Sequence, residues 1–255
     1  MERRRYLAAA ASAGVAALAG CSTAVGEVTP PDVPTQQLND GGWEKTGEET
    51  RTVFEESYGP VTVTAKAHSL TYSDTALRES IREKTLGTID AQVAVYSATH
   101  IDFGPDLNNL PGGVGREQIL DQTEQSARDQ FRSRMENVGL QDISQSSTGS
   151  LTVDTGEEAS VTEYEATFPV DTFSADFRGE TIGVEMDDLR VAGILGVWNH
   201  GDYVLVGGGA YPAENATASE SAELSDAVTV DVDIDLGLTP DAYREEVRGL
   251  ITGVE

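Results

Sequence analysis

Two runs in the second half of the chain constrain its fold most. Leu189 to Trp198 and Tyr203 to Ala210 are its most apolar segments beyond residue 21, and they flank Asn199-His200-Gly201-Asp202. Asn, Gly and Asp accept the backbone angles of a tight reversal, so the two runs predict a central hairpin. Four more segments read as strands: Ser150 to Val153, Val161 to Val170, Thr181 to Glu185 and Val228 to Leu236. In the first half, Thr50, Thr52 and Phe54 alternate, as do Val61, Val63, Ala65 and Ala67. Ser57-Tyr58-Gly59-Pro60 supplies the turn between them, and Gln92 to Ile101 gives a third strand.

Three helices interrupt this pattern. Asp74 is placed to cap one that carries Leu77 and Ile81 on one face and closes near Gly87. A longer helix starts near Arg116, with Leu120, Ala127, Phe131, Met135 and Val138 at helical spacing and Gly139 as its stop. The last has Thr239 as cap, Pro240 at its first position, Asp241 in its first turn and Tyr243, Val247 and Leu250 as its buried stripe. Gly104 to Gly115 and the polar stretch Glu214 to Ser225 read as loops, and Gly207-Gly208-Gly209 as a bulge or flexible exit from the sheet. The class that follows is α+β: a single antiparallel β-sheet with helices packed on a face. Its element order loosely resembles that of the extrinsic photosystem II oxygen-evolving subunits, a likeness of arrangement that implies no activity.

The first 21 residues concern delivery. Arg3-Arg4-Arg5-Tyr6-Leu7 resembles a twin-arginine export signal, with Arg3, Arg4, Tyr6 and Leu7 matching its pattern. The run from Leu7 to Gly20 is 14 residues, and a membrane-spanning helix needs roughly 20. It therefore suits the apolar part of a signal peptide. Leu18-Ala19-Gly20-Cys21 resembles a lipobox, which implies a diacylglyceryl-type lipid on the sulfur of Cys21. Cys21 is the sole cysteine, so an internal disulfide is excluded. One acyl chain binds a membrane only marginally, whereas two chains hold it.

Composition speaks to the solvent. The chain has 44 acidic and 17 basic residues, net −27. Removing residues 1–20 takes away Glu2 and three arginines and leaves 43 acidic against 14 basic, net −29. The acid is spread along the chain rather than blocked into a tail, and the only lysines are Lys45, Lys66 and Lys84. Dense carboxylates keep a surface hydrated where salt screens charge over about 3 Å, so the composition points to an extreme halophile. No basic stripe serves a phosphate backbone, which argues against nucleic acid as a partner. Arg128, Arg132 and Arg134 lie beside Glu124, Asp129 and Glu136 and read as a solvated, paired helix face. Leader, lipobox and acidic domain together are similar to the haloarchaeal surface lipoproteins of unknown function. The organisation expected is a signal peptide over 1–20, a lipidated, Pro-rich tether over 21–42 and a single domain over 43–255.

The chain offers no catalytic pattern. There is no Gly-x-Ser-x-Gly elbow, P-loop or dinucleotide fingerprint. His68, His100 and His200 lack the spacing of a helical zinc pair. Asp231, Asp233 and Asp235 begin like a calcium loop, but Leu236 replaces its glycine and Ala242 its terminal glutamate. They read instead as the acidic, solvated face of a strand, and Glu157-Glu158 and Asp187-Asp188 as surface turns. No catalytic residue, metal ligand or cofactor site is assigned. Asn215-Ala216-Thr217 is a glycosylation sequon, which makes Asn215 a candidate glycan site. The expectation is a lipid-anchored extracytoplasmic protein, held on the outer face of the membrane, with a non-enzymatic binding role toward a protein or small molecule. The alternative is an anchored hydrolase whose site is assembled from scattered residues.

Overall fold

The computed structural model describes residues 28–59, 61–107, 115–170, 173–177, 180–225 and 228–255. The export and lipidation residues Arg3, Arg4, Tyr6, Leu7, Leu18, Ala19, Gly20 and Cys21 lie outside these. In chain order the elements are α1 (Thr35–Asp40), β1 (Trp43–Tyr58), β2 (Val61–Asp74), α2 (Thr75–Lys84), β3 (Val95–Gly104), α3 (Arg116–Asn137), β4 (Gln141–Thr152) and β5 (Glu158–Phe168). They continue with β6 (Phe173–Phe177), β7 (Glu180–Val184), β8 (Leu189–His200), β9 (Tyr203–Pro212), β10 (Thr217–Ser225), β11 (Val228–Asp235) and α4 (Pro240–Thr252).

Seven strands form one antiparallel sheet in the order β1-β2-β3-β9-β8-β5-β4. The expected hairpin, β8–β9, stands at its centre, as its apolarity required. Two small hairpins, β6–β7 and β10–β11, leave the same end of the sheet, after Phe168 and Pro212, and β7 contacts β10. The fold is thus α+β around one antiparallel sheet.

The three consecutive glycines explain how the layers fit. They continue the regular pairing of β9 with β3 and β8 without a bulge, which corrects the reading of a flexible exit. Successive residues of a strand point to opposite faces. A methyl on Gly208 would stand 3.0 Å from Phe131 Cε2 of α3, whereas methyls on Gly207 and Gly209 would stand 3.1 Å from Ile251 Cγ2 and 2.6 Å from Val247 Cγ1 of α4. Helix α3 therefore lies on one face and α4 on the other, each against bare strand backbone. In β8, Gly193 meets Met135 and Phe131, and Gly196 meets Ile251, in the same way. Val247, Leu250 and Ile251 are fully buried against the sheet, and each such side chain stabilises the fold by about 1.5–3 kcal/mol.

Local chemistry fixes the remaining elements. Leu77 N donates to Asp74 Oδ1 at 2.8 Å, the cap expected for α2, and Tyr243 Oη donates to Asp74 Oδ2 at 3.3 Å, tying α2 to α4. Thr239 precedes Pro240 as expected, but its side chain makes no capping bond. The stripe of α4 is Val247, Leu250 and Ile251, with Tyr243 half-buried at its edge.

The structure draws residues 28–42, read above as tether, into the fold. Val28, Val33 and Leu38 are buried, and Asp32 exchanges backbone hydrogen bonds with Glu255 at 2.7 and 3.0 Å. The stretch from Glu214 to Ser225 is mostly strand β10 rather than loop. Its hydroxyls sit opposite the aspartates of β11: Ser219 Oγ donates to Asp233 and Ser221 Oγ to Asp231, each at 2.5 Å. Strand β4 begins at Gln141, nine residues before the expected segment, because its Ser/Thr/Gln face is solvated at the sheet edge and carries little apolar signal.

Candidate functional site: a cleft beneath helix α3

Between α3 and the sheet lies a cleft of about 180 Å³. Its floor is Thr71 of β2, Ser97 of β3 and Gly208 and Ala210 of β9. Its wall is Phe131, Met135 and Val138, and Arg134 lines it as well. A smaller hollow of about 20 Å³ shares Ser97, Phe131 and Arg134 with it and reaches Thr99 and Gln130. The floor is made of small residues because a helix crosses close above. Ser69, Ser97 and Thr99 are buried there, with Ser69 Oγ and Thr99 Oγ1 hydrogen-bonded at 2.8 Å.

Arg134 is the distinctive group. Residues 131, 134, 135 and 138 follow the i, i+3, i+4, i+7 spacing of one helix face. That spacing places Arg134 inside the apolar stripe, and not on the solvated face expected for it. Arg128, by contrast, is paired with Glu124 at 2.5 Å, as expected. Burial lowers the Arg134 guanidinium's affinity for its proton, the positive charge of Arg51 lowers it further, and Glu49 offsets part of this. Arg51 on β1 donates to Gln130 Oε1 on α3, and its buried Nε has no hydrogen-bond partner among the described residues. Among those residues no salt bridge joins Arg51 or Arg134 to a carboxylate. In a chain of net −27, two adjacent cations and one acidic neighbour make a locally positive spot.

A larger, open groove of about 470 Å³ lies near the start of α4, over β5 and β8. Two of its four carboxylates are paired with arginines. Arg244 Nη2 stands 3.4 Å from Glu163 Oε1, and Arg190 Nε 3.8 Å from Glu214 Oε1. Ser147's hydroxyl and then the two arginines Arg244 and Arg248 hold Glu163 below its ordinary value, against the opposing effect of burial. Glu165 and Asp241 also line the groove, without an ion pair among the described residues, so it is acidic like the rest of the chain, and the α3 cleft with its arginine is the more distinctive candidate.

The histidines are partly brought together. His100 stacks on Tyr203 with ring centroids 4.1 Å apart, and His200 lies 5.2 Å from the same ring. His100 Nε2 is 3.1 Å from Asp102 Oδ1. His200 Nδ1 is 2.9 Å from Glu157 Oε1, an ion-pair distance without hydrogen-bond alignment. Glu157 is therefore a partner of His200 as well as a turn residue. Burial raises the Tyr203 hydroxyl's affinity for its proton, and the charges of Asp202, Glu157, Asp102 and Glu255 add to this. His68 of β2 lies directly opposite His100 of β3 in the sheet register, with its Nε2 2.9 Å from Glu48 Oε1. Among the described residues no three His, Cys, Asp or Glu side chains converge where a metal ion could sit. Asn215 is exposed. Its Nδ2 donates to Asp235 Oδ1 and its Oδ1 accepts from Leu238 N, both at 2.8 Å, so it braces the β10–β11 hairpin against the approach to α4.

The family model for DUF6517, a domain of unknown function, matches residues 30–255. The chain belongs to this family. The match begins within the segment that the structure packs onto the sheet, ahead of Trp43. No curated protein and no solved structure matches the chain.

Proposed function

We propose that this DUF6517 protein is an exported surface lipoprotein of a halophilic archaeon. It is delivered by the twin-arginine route, anchored through Cys21 and working outside the membrane as a non-enzymatic binding module whose ligand site is the α3 cleft. The observation that carries the binding role is the cleft itself, an apolar wall over a hydroxyl floor with Arg134 reaching into it. The anchoring rests on Leu18-Ala19-Gly20-Cys21 and the export route on Arg3, Arg4, Tyr6 and Leu7. The net charge of −29 on the processed chain supports life in molar salt. The alternative, an anchored hydrolase, gains no support from these two cavities, since neither the α3 cleft nor the α4-side groove is lined by His100 or His200.

The test is fractionation of cells that express the full chain. The wild type is expected in the membrane fraction, lipidated at Cys21 by mass spectrometry and cut by protease added outside intact cells. Cys21→Ser should release it from the membrane, and changing Arg3, Arg4 and Arg5 to Lys together should trap precursor in the cytoplasm. Membrane retention of Cys21→Ser, or protection of the wild type from external protease, would overturn the anchoring and the location.

A further inference from the structure

We propose that the α3 cleft binds a small organic monoanion with an apolar body, of the size of an aryl or short alkyl carboxylate, whose acid group meets Arg134. The inference rests on the reading of this cleft as the ligand site and names the chemistry it would take.

Size comes first. An apolar cavity of roughly 150 Å³ takes up benzene, so about 180 Å³ has room for one ring or a chain of similar bulk. Phe131, Met135 and Val138 give that body its apolar contact. The thioether of Met135 favours an aromatic guest, because sulfur packs well against ring edges. On the opposite side, Thr71 and Ser97 place hydroxyl-bearing side chains on the floor, able to hydrogen-bond an acid oxygen or an ordered water.

Charge decides the sign. Arg51 and Arg134 repel one another, and Glu49 is the single carboxylate whose charge opposes that effect on Arg134. One added negative charge would leave two cations facing two anions. A guanidinium binds a carboxylate through paired N–H donors, which gives direction as well as attraction. Arg51 does not line the cleft, but its guanidinium, held to Gln130 of α3, stands near enough to Arg134 to add to the positive charge there. Molar salt screens charge beyond about 3 Å, so only an ion in direct contact profits from the arginines, and the apolar wall is what lets a hydrophobic acid outcompete chloride. A neutral guest would gain the wall but leave the arginines unmatched, and a dianion would overshoot the local balance.

The experiment uses the full chain purified in detergent at constant molar potassium chloride, with binding read by calorimetry and by thermal shift. The probes are benzoate, its neutral isostere benzamide, and acetate, which has the charge without the body. Benzoate is expected to bind and raise the melting temperature, with benzamide and acetate each at least about tenfold weaker, the worth of one charged hydrogen bond. Arg134→Gln should cost benzoate about tenfold or more and benzamide almost nothing, while Arg134→Lys should keep part of the preference. Ser97→Leu, which fills the floor, should abolish binding of both aromatic probes. Each variant's unfolding in urea without ligand establishes that it is folded. Equal binding of benzamide and benzoate, or a benzoate affinity unchanged in Arg134→Gln, would overturn the monoanion while leaving the cleft as a ligand site. Equal effects of acetate and benzoate mean an unspecific anion and also overturn it. If no probe binds a folded wild type, both this inference and the reading of the cleft as a ligand site fail. The cellular location is judged separately by fractionation.

Discussion

Gly209→Ala tests the layer arrangement most directly. The added methyl would lie 2.6 Å from Val247 Cγ1 and 3.0 Å from the Val95 carbonyl oxygen, against a comfortable separation of about 3.5–4.0 Å. The carbonyl belongs to the paired strand β3 and cannot move aside, and Val247 is fully buried in α4. Either the helix retreats or Val247 leaves its rotamer. Such overpacking costs about 1–3 kcal/mol. The lower chain entropy of alanine in the unfolded state returns about 0.4–1 kcal/mol, so a net loss of about 1–2 kcal/mol is expected. Gly149→Ala in the edge strand β4 is the control, since nothing lies within 4 Å of its methyl and the site is exposed. Only the entropy term acts there, and stability should hold or rise slightly. Val247→Ala alone loses two buried methyls, about 0.8 kcal/mol each, plus a cavity term. Combined with Gly209→Ala, the new methyl enters the space that the valine vacates. The double variant should then be more stable than the sum of the singles by at least about 1 kcal/mol. The assay is urea unfolding at fixed molar potassium chloride, reading midpoints at unchanged slope. Gly209→Ala as stable as Gly149→Ala, or a strictly additive double variant, would refute direct packing of α4 on β9.

Two further outcomes follow from charge. With net −29 on the processed chain, the melting temperature should climb steadily between dilute buffer and several molar potassium chloride at neutral pH, and a flat or falling series would count against the halophilic reading. Glu246, which accepts from Trp43 Nε1 at 2.9 Å, has its carboxyl pushed above the ordinary value of 4.5 by burial and by the nearby charge of Asp74. The folded state therefore holds this proton more tightly than the unfolded state, and stability is lost as pH rises from 4.5 through the raised value. Glu246→Gln keeps an acceptor for Trp43 and removes the charge, so it should be more stable than wild type at pH 7. The difference should vanish below pH 4, as read from paired urea titrations across pH, and a gain that persists in acid would contradict this origin.

Periodicity and turn chemistry carried much of the fold. The β8–β9 hairpin, the Asp74 cap, the β1–β2 turn and most of the apolar stripes of α3 and α4 are local or short-range patterns, legible in residues a few positions apart, although α3 buries Ile119 and Thr123 while the expected Leu120 and Val138 are only half-buried. Strands without an apolar face were not. β4 is a Ser/Thr/Gln edge, and β10 satisfies its hydroxyls on the aspartates of β11, so neither shows the alternation that marks a half-buried strand. The tethered look of residues 28–42 misled for a related reason. Prolines spoke for extended chain, and that chain is held by contacts with residues more than 200 positions away, such as Asp32 with Glu255. The candidate site divides along the same line. Arg134 within the stripe Phe131, Met135, Val138 was visible as spacing, but a helical arginine in an acidic chain is ordinarily a solvated ion pair. Only tertiary structure sets Arg51 from the first strand beside it and puts the bare backbone of Gly208 beneath the helix. Sequence fixes which face a side chain takes within its own element. What that face meets depends on which distant elements the sheet order brings alongside, and that is where the cleft, its charge and its volume are decided.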